Sequence, residues 1–162
     1  MGKWLKLASL ICALKLSLDL SRLEDRLILQ KIAYLIQKLN LDLEYEFRWH
    51  TYGPYSRSLA YDTHKISITL KSKCKELELV NKDILNKLSR IIDVFRKIAR
   101  DSGIRLSRVL EIAASLVMLQ QDVYPRIKNP VLEIVKRKKN ISKDLVVKVY
   151  KTLLEYKLLR QE

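Results

Sequence analysis

The side chains best equipped for chemistry in this chain are its cations. Lys136, Arg137, Lys138 and Lys139 form an unbroken run, and Lys143, Lys148 and Lys151 follow on or near the last predicted helix. Lys87, Arg90, Lys97 and Arg100 recur at three- and seven-residue steps, which stacks them on one helical face. Arg105 and Arg108 continue just beyond. If contiguous, such a surface neutralises successive phosphates and releases their counterions, with little discrimination between bases. The expected partner is the backbone of DNA or RNA, met alone or within a larger nucleoprotein assembly. A basic run is also what an ordinary solvated turn looks like, so this expectation depends on the residues sharing a surface.

A second concentration of chemical groups lies in "RWHTYGPYSRSLAYD", residues 48–62. Trp49, His50, Tyr52, Tyr55 and Tyr61 crowd around Gly53 and Pro54. Tyr52, Tyr55 and Tyr61, with Arg48 and Arg57 beside them, have the composition of a base-stacking platform. Rings around a Gly-Pro corner more often belong to a core, and Tyr45, Phe47 and Trp49 share one apolar face. Catalytic patterns are weaker. The only histidines, His50 and His64, belong to no HxH, HExxH or Cys/His ligand spacing. Ser56 follows Gly-Pro-Tyr without a GxSxG pattern, so it reads as a helix cap rather than a nucleophile. Walker A and GxGxxG patterns are absent. The expectation is a protein without enzymatic activity, metal or cofactor.

The charge balance supports the polyanion reading. Thirty-two Lys and Arg stand against eighteen Asp and Glu in 162 residues, a net charge of +14. Residues 126–162 alone carry eleven basic and four acidic side chains, whereas residues 41–80 are neutral. Half the excess is therefore in the last quarter of the chain, away from the aromatic stretch. The competing explanation is an ion-paired surface of the kind found in hyperthermophiles, and the composition is compatible with a thermophilic archaeal source. That explanation accounts for many charges better than for a large imbalance.

The elements that must position these groups are mostly helical. Glycine and proline number three each, which favours long regular segments and short connections. Apolar spacing predicts helices over 3–16, 22–39, from Asn81 to about Gly103, over 105–121, from Pro130 to about 138, and from a Ser142 cap to about 159. "SRLED" predicts a capping box between Ser21 and Glu24. Asn81 and Gly103 are the expected cap and stop of one helix, and Ala113, Ala114 and Ser115 allow close packing of the next. Period-two alternation over residues 41–50 predicts a strand, which needs a partner. "KISITL", residues 65–70, is the economical one; the alternative is that Ser56 caps a helix running past Ile66.

Cys12 and Cys74 show no CxxC spacing. Cys12 lies in an apolar run and is expected to be a buried small hydrophobe, the less favoured alternative being a disulfide with Cys74; the former suits a reducing, cytoplasmic setting. Only eight residues separate Lys6 from Lys15, against about twenty for a membrane-spanning helix, so no membrane association is expected.

"LQKIAYLIQ", residues 29–37, followed by "FRWHTYGPYSRSLAYD", residues 47–62, resembles the LQKxxYLxQ and W/YxxYGPYSxxLxxD signature of the YwgA-like and SocA/Panacea-like proteins. "LEIAASLVML", residues 110–119, is similar to that family's second conserved helix, and residues 135–159 are similar to its closing segment. The resemblance implies a helical fold with a small β element. It puts Leu29, Gln30, Lys31, Tyr34, Gly53, Pro54, Tyr55, Ser56, Leu59 and Asp62 at signature positions, with no catalytic role. It also implies a protein-interaction module, an antitoxin-like partner of a toxin or a proteolytic adaptor, although many archaeal members have no assigned activity. The strongly basic balance departs from the family pattern and favours nucleic acid over a toxin.

Together these observations predict a mainly α protein, a single compact domain over 1–162. It should have about six or seven helices and a small two-stranded β element.

Overall fold

The structure is a computed structural model that describes residues 2–77, 81–138 and 140–160. In chain order its elements are α1 (Lys3–Leu14), α2 (Leu23–Lys38), β1 (Arg48–His50), β2 (Gly53–Tyr55), α3 (Arg57–Ser72), a 3-10 turn (Cys74–Glu76), α4 (Lys82–Ser102), α5 (Leu106–Gln121), α6 (Pro130–Arg137) and α7 (Lys143–Glu155). The protein is mainly α, with one small antiparallel sheet.

The hub is α5. Every residue from Val109 to Gln120 on it is buried, and a helix with no polar face there must be enclosed on all sides. The enclosing elements are α2, β2, α4, α6 and α7. Ala113, Ala114 and Ser115 are fully buried, and β2 approaches at this small-residue step: a Cβ added to Gly53 would stand 2.5 Å from Ser115 Oγ. Outside this hub, α4 is amphipathic. It buries Ile84, Leu88, Ile91, Ile92, Phe95, Ile98 and Ala99 and turns its charged face outward.

Helix ends follow local chemistry. Asn81 accepts from the Ile84 amide at 3.0 Å, Ser142 from Leu145 at 3.2 Å, and Ser56 from Leu59 at 3.2 Å. Gly103 closes α4 in the left-handed region, with φ 65°. Pro130 occupies the first turn of α6, where its missing N–H leaves no gap.

Several expectations are corrected. No capping box opens α2, which starts after Arg22 without a side-chain cap. Asp19 Oδ1 instead accepts from the Ser21 amide at 3.0 Å and from its hydroxyl at 2.6 Å. Glu24 is drawn to Arg105 and Ser107, and a charge-assisted bond to a distant cation wins over the local one. The alternating segment is only a strand at its end. Arg48 pairs with Tyr55, and His50 with Gly53. Residues 41–47 keep the alternation in burial, with Leu43 and Tyr45 inside and Asp42, Glu44 and Glu46 outside, but join no ladder. Glu44 has φ 60°, and the Gln37 side chain substitutes for a strand partner: its Nε2 donates to the Tyr45 carbonyl at 3.1 Å and its Oε1 accepts from the Tyr45 amide at 2.9 Å.

"KISITL" lies inside α3, as the alternative reading of the Ser56 cap has it. Leu59, Ile66 and Thr69 face inward at seven- and three-residue steps, so a six-residue alternation loses to a capped sixteen-residue helix. Cys12 is not a free thiol. It forms a disulfide with Cys74 that ties α1 to the 3-10 turn, because the α1–α3 packing brings the two Cα atoms to 5.5 Å. The cysteines therefore no longer argue for a reducing compartment. Among the described residues, no helix is long and apolar enough to cross a membrane.

Candidate functional site

The signature residues converge on one corner. Gln30 on α2 grips Ser56 from both sides: its Oε1 accepts from the Ser56 amide at 2.8 Å and its Nε2 donates to the Ser56 carbonyl at 2.9 Å. Lys31 donates to the Pro54 carbonyl at 2.7 Å. Gly53 supplies the turn with φ 87°, a conformation other residues resist. Leu29 and Leu59 are fully buried in the core beside them. Tyr34 donates to the Asp122 carboxylate, which also pairs with Lys38 at 2.7 Å, and its ring meets Phe47 edge-on at 5.2 Å. Tyr45 donates to Asp62 at 2.7 Å. Burial, reinforced by these carboxylates, pushes both phenols well above their usual range. The corner is held by hydrogen bonds that satisfy buried backbone groups, which is a structural role.

Around this corner the rings divide. Trp49, His50, Tyr55 and Tyr61 line a surface hollow of about 660 Å³ with Arg48 and Arg57. His50 lies 5.1 Å from Tyr55, and Arg137 covers Trp49 at 5.2 Å. Tyr61 is exposed. Tyr52 belongs to another cavity, described next, so the three tyrosines of the predicted platform do not share one surface.

Behind the corner, cations go inward. Lys31, Glu111 and Lys138 are all buried. Glu111 Oε2 takes both Lys138 Nζ, at 3.0 Å, and Arg108 Nη1. Burial pulls Lys31 down to about 8; Glu111 opposes the shift and the Lys138 charge adds to it. Lys138 was expected on a phosphate-binding surface; the buried Glu111 carboxylate draws it into the interior instead. Glu111 itself went unnoticed in the sequence, although a lone acid inside "VLEIAASLVML" was a usable signal, as was a lysine inside "LQKIAYLI".

The other predicted cations separate into groups. Lys87, Arg90, Lys97 and Arg100 share the outer face of α4, and α7 lies alongside. At one end Lys87 and Arg90 meet Lys157 of the chain after α7, around a shallow hollow of about 450 Å³ that also has Asp83 and Glu155. At the other end Lys97 pairs with Asp101 at 2.7 Å, and the charges of Arg100 and Lys148 also reach that carboxyl. The Lys97 hydrogen bond and these cations hold Asp101 below the usual carboxylate range. The two helices therefore run antiparallel. Lys151 is one turn beyond Lys148, and Lys143 is exposed at the start of α7. Arg105 is tied to Glu24 at 3.3 Å, and Arg137 to Glu133 at 2.6 Å. Lys136 is exposed on α6, while Lys139 lies outside the described residues. Of the predicted set, α4 and α7 bring together Lys87, Arg90, Lys97, Arg100, Lys148 and Lys151.

No protein-family model, curated protein or solved structure matches the chain.

Proposed function

We propose that this is a non-enzymatic, nucleic-acid-associated protein that holds phosphate backbone along its α4–α7 face. The observation that carries the reading is the antiparallel placement of α4 and α7, which merges two separate basic stretches of sequence into one surface. Arg90, Arg100, Lys148 and Lys151 have no ion pair among the described residues, so they are available to an external anion. Membership in the YwgA-like and SocA/Panacea-like family belongs to the same proposal. The convergence of Gln30, Lys31, Gly53, Pro54 and Ser56 supports it.

Titration of duplex DNA and duplex RNA across salt tests the function. The expected result is tight binding at low salt, with log affinity falling with log salt at a slope of about −4, for roughly four phosphates neutralised. Absence of binding at low salt, or binding indifferent to salt, would overturn it. Copurification of one stoichiometric protein after nuclease treatment would favour the interaction-module alternative.

A further inference from the structure

A cavity of about 400 Å³ lies between α2, the β1–β2 turn and the amino end of α5. Its polar lining is Lys31, Arg105, Ser107, Arg108 and Glu111, and its apolar lining is Leu27 and Ile104, with Tyr52 beside them. The charges around it do not balance. Lys31, Arg108 and Lys138 share one buried carboxylate, Glu111, and both of its ion pairs go to Arg108 and Lys138. Among the described residues Lys31 has a single hydrogen-bond acceptor, the Pro54 carbonyl, although an ammonium has three donors. At the rim Glu24 neutralises Arg105 and accepts from the Ser107 hydroxyl. No side chain caps the amino end of α5, so the helix adds its own positive end to the same space.

A buried cation that is only partly compensated is unfavourable unless an anion joins it. Lys31 lines the cavity, so an anion held there supplies that compensation. We infer that this cavity is a binding site for a small organic oxyanion, a carboxylate or phosphate monoester with a compact apolar or aromatic body. The oxyanion sits between Lys31 and Arg108, and the body rests on Leu27, Ile104 and Tyr52. The volume is at the small end of ligand pockets, which run from roughly 300 to 1,000 Å³. A duplex backbone is excluded by size from reaching a fully buried ammonium, so this site is independent of the α4–α7 face.

Phenyl phosphate and benzoate are suitable probes, with benzyl alcohol as the uncharged counterpart, followed by amide-resolved NMR and calorimetry. The expected result is saturable binding of the two anions, with shifts at the start of α5 and at Tyr52, and none with benzyl alcohol. Arg108→Gln, at a half-exposed position, should keep the fold and weaken binding at least about tenfold. Lys31→Met should abolish it. In the wild type the Lys31 titration midpoint should rise when phenyl phosphate saturates the site. An Arg90→Glu/Lys148→Glu variant should bind phenyl phosphate unchanged, which separates this site from the proposed nucleic-acid surface. Equal binding of benzyl alcohol, undiminished binding in Arg108→Gln, or no binding of either anion would overturn the inference.

Discussion

Gly53 of β2 packs directly against Ser115 of the central helix: a Cβ on Gly53 would stand 2.5 Å from Ser115 Oγ. The Ser115 hydroxyl is buried and has no hydrogen-bond partner among the described residues. Gly53→Ala therefore meets both a clash and the strain of φ 87°. We expect it to lower stability by roughly 2–4 kcal/mol in urea denaturation. Ser115→Ala removes an unsatisfied polar atom and should be neutral or stabilising by about 1 kcal/mol. Combining the two should recover part of the Gly53→Ala loss, leaving the φ strain. Strict additivity in the double mutant would show that the contact carries no energy.

The grip of Gln30 on Ser56 makes a second prediction. Gln30→Leu leaves the buried Ser56 amide without a partner, while the Ser56 carbonyl keeps the Ala60 amide at 3.1 Å, so a loss of about 2–3 kcal/mol is expected. Ser56→Ala keeps both backbone bonds and loses the α3 cap and the contact with the Ser58 hydroxyl, about 1 kcal/mol. Denaturation midpoints should fall in that order. A reversed order would place the weight on the cap instead.

Reducing the Cys12–Cys74 bond opens a loop with a sequence separation of 62. Loop entropy alone gives about 4 kcal/mol of stabilisation, and measured values for disulfides are more often 2–4. Urea unfolding with and without reductant should show a loss in that range, and Cys12→Ser/Cys74→Ser should match the reduced protein. Unchanged stability on verified reduction would contradict this.

Stability should vary with pH in two opposite senses. Lys31 loses its proton at about pH 8 in the fold, against an ordinary value of 10.5. Between these values the unfolded chain binds more protons, so stability rises with pH, by on the order of 2 kcal/mol from pH 8 to pH 10. Above roughly pH 10 the sign reverses. The unfolded chain ionises its phenols there, while Tyr34 and Tyr45 stay neutral in the fold, so stability falls. A maximum near pH 10 in the wild type, with the rising limb missing in Lys31→Met, is the expected pattern. A flat wild-type profile from pH 8 to pH 10 would count against it.

On the α4–α7 face, each of Arg90→Glu and Lys148→Glu should weaken duplex binding uniformly across sequences. Each should reduce the magnitude of the salt slope by about 1. Lys138→Gln should instead act on folding, because that side chain is buried against Glu111. Loss of duplex binding in a well-folded Lys138→Gln, with none in Arg90→Glu, would relocate the binding surface.

The sequence by itself determined the helices whose signals are local. Asn81, Gly103, Pro130, Ser142 and Ser56 act within one turn of where they stand, and apolar spacing along α4 and α7 needs no distant information. The corner at Gly53-Pro54 was legible for the same reason. Only the tertiary structure decided which partner each polar group takes. Ser21 and Glu24 form an adequate capping box in isolation, yet Asp19 and Arg105 claim them. Residues 41–47 alternate like a strand, yet Gln37 holds their backbone. Lys138 reads as one of four surface cations, yet it is buried on Glu111, while Lys31, in an apolar run, faces a cavity. Cys12 and Cys74 were paired by the α1–α3 packing. Caps and periodicity are set by neighbours a few residues away. Hydrogen-bond, ion-pair and disulfide partners depend on which distant group the packed helices bring within about 3 Å, and that distance is not written in any one segment.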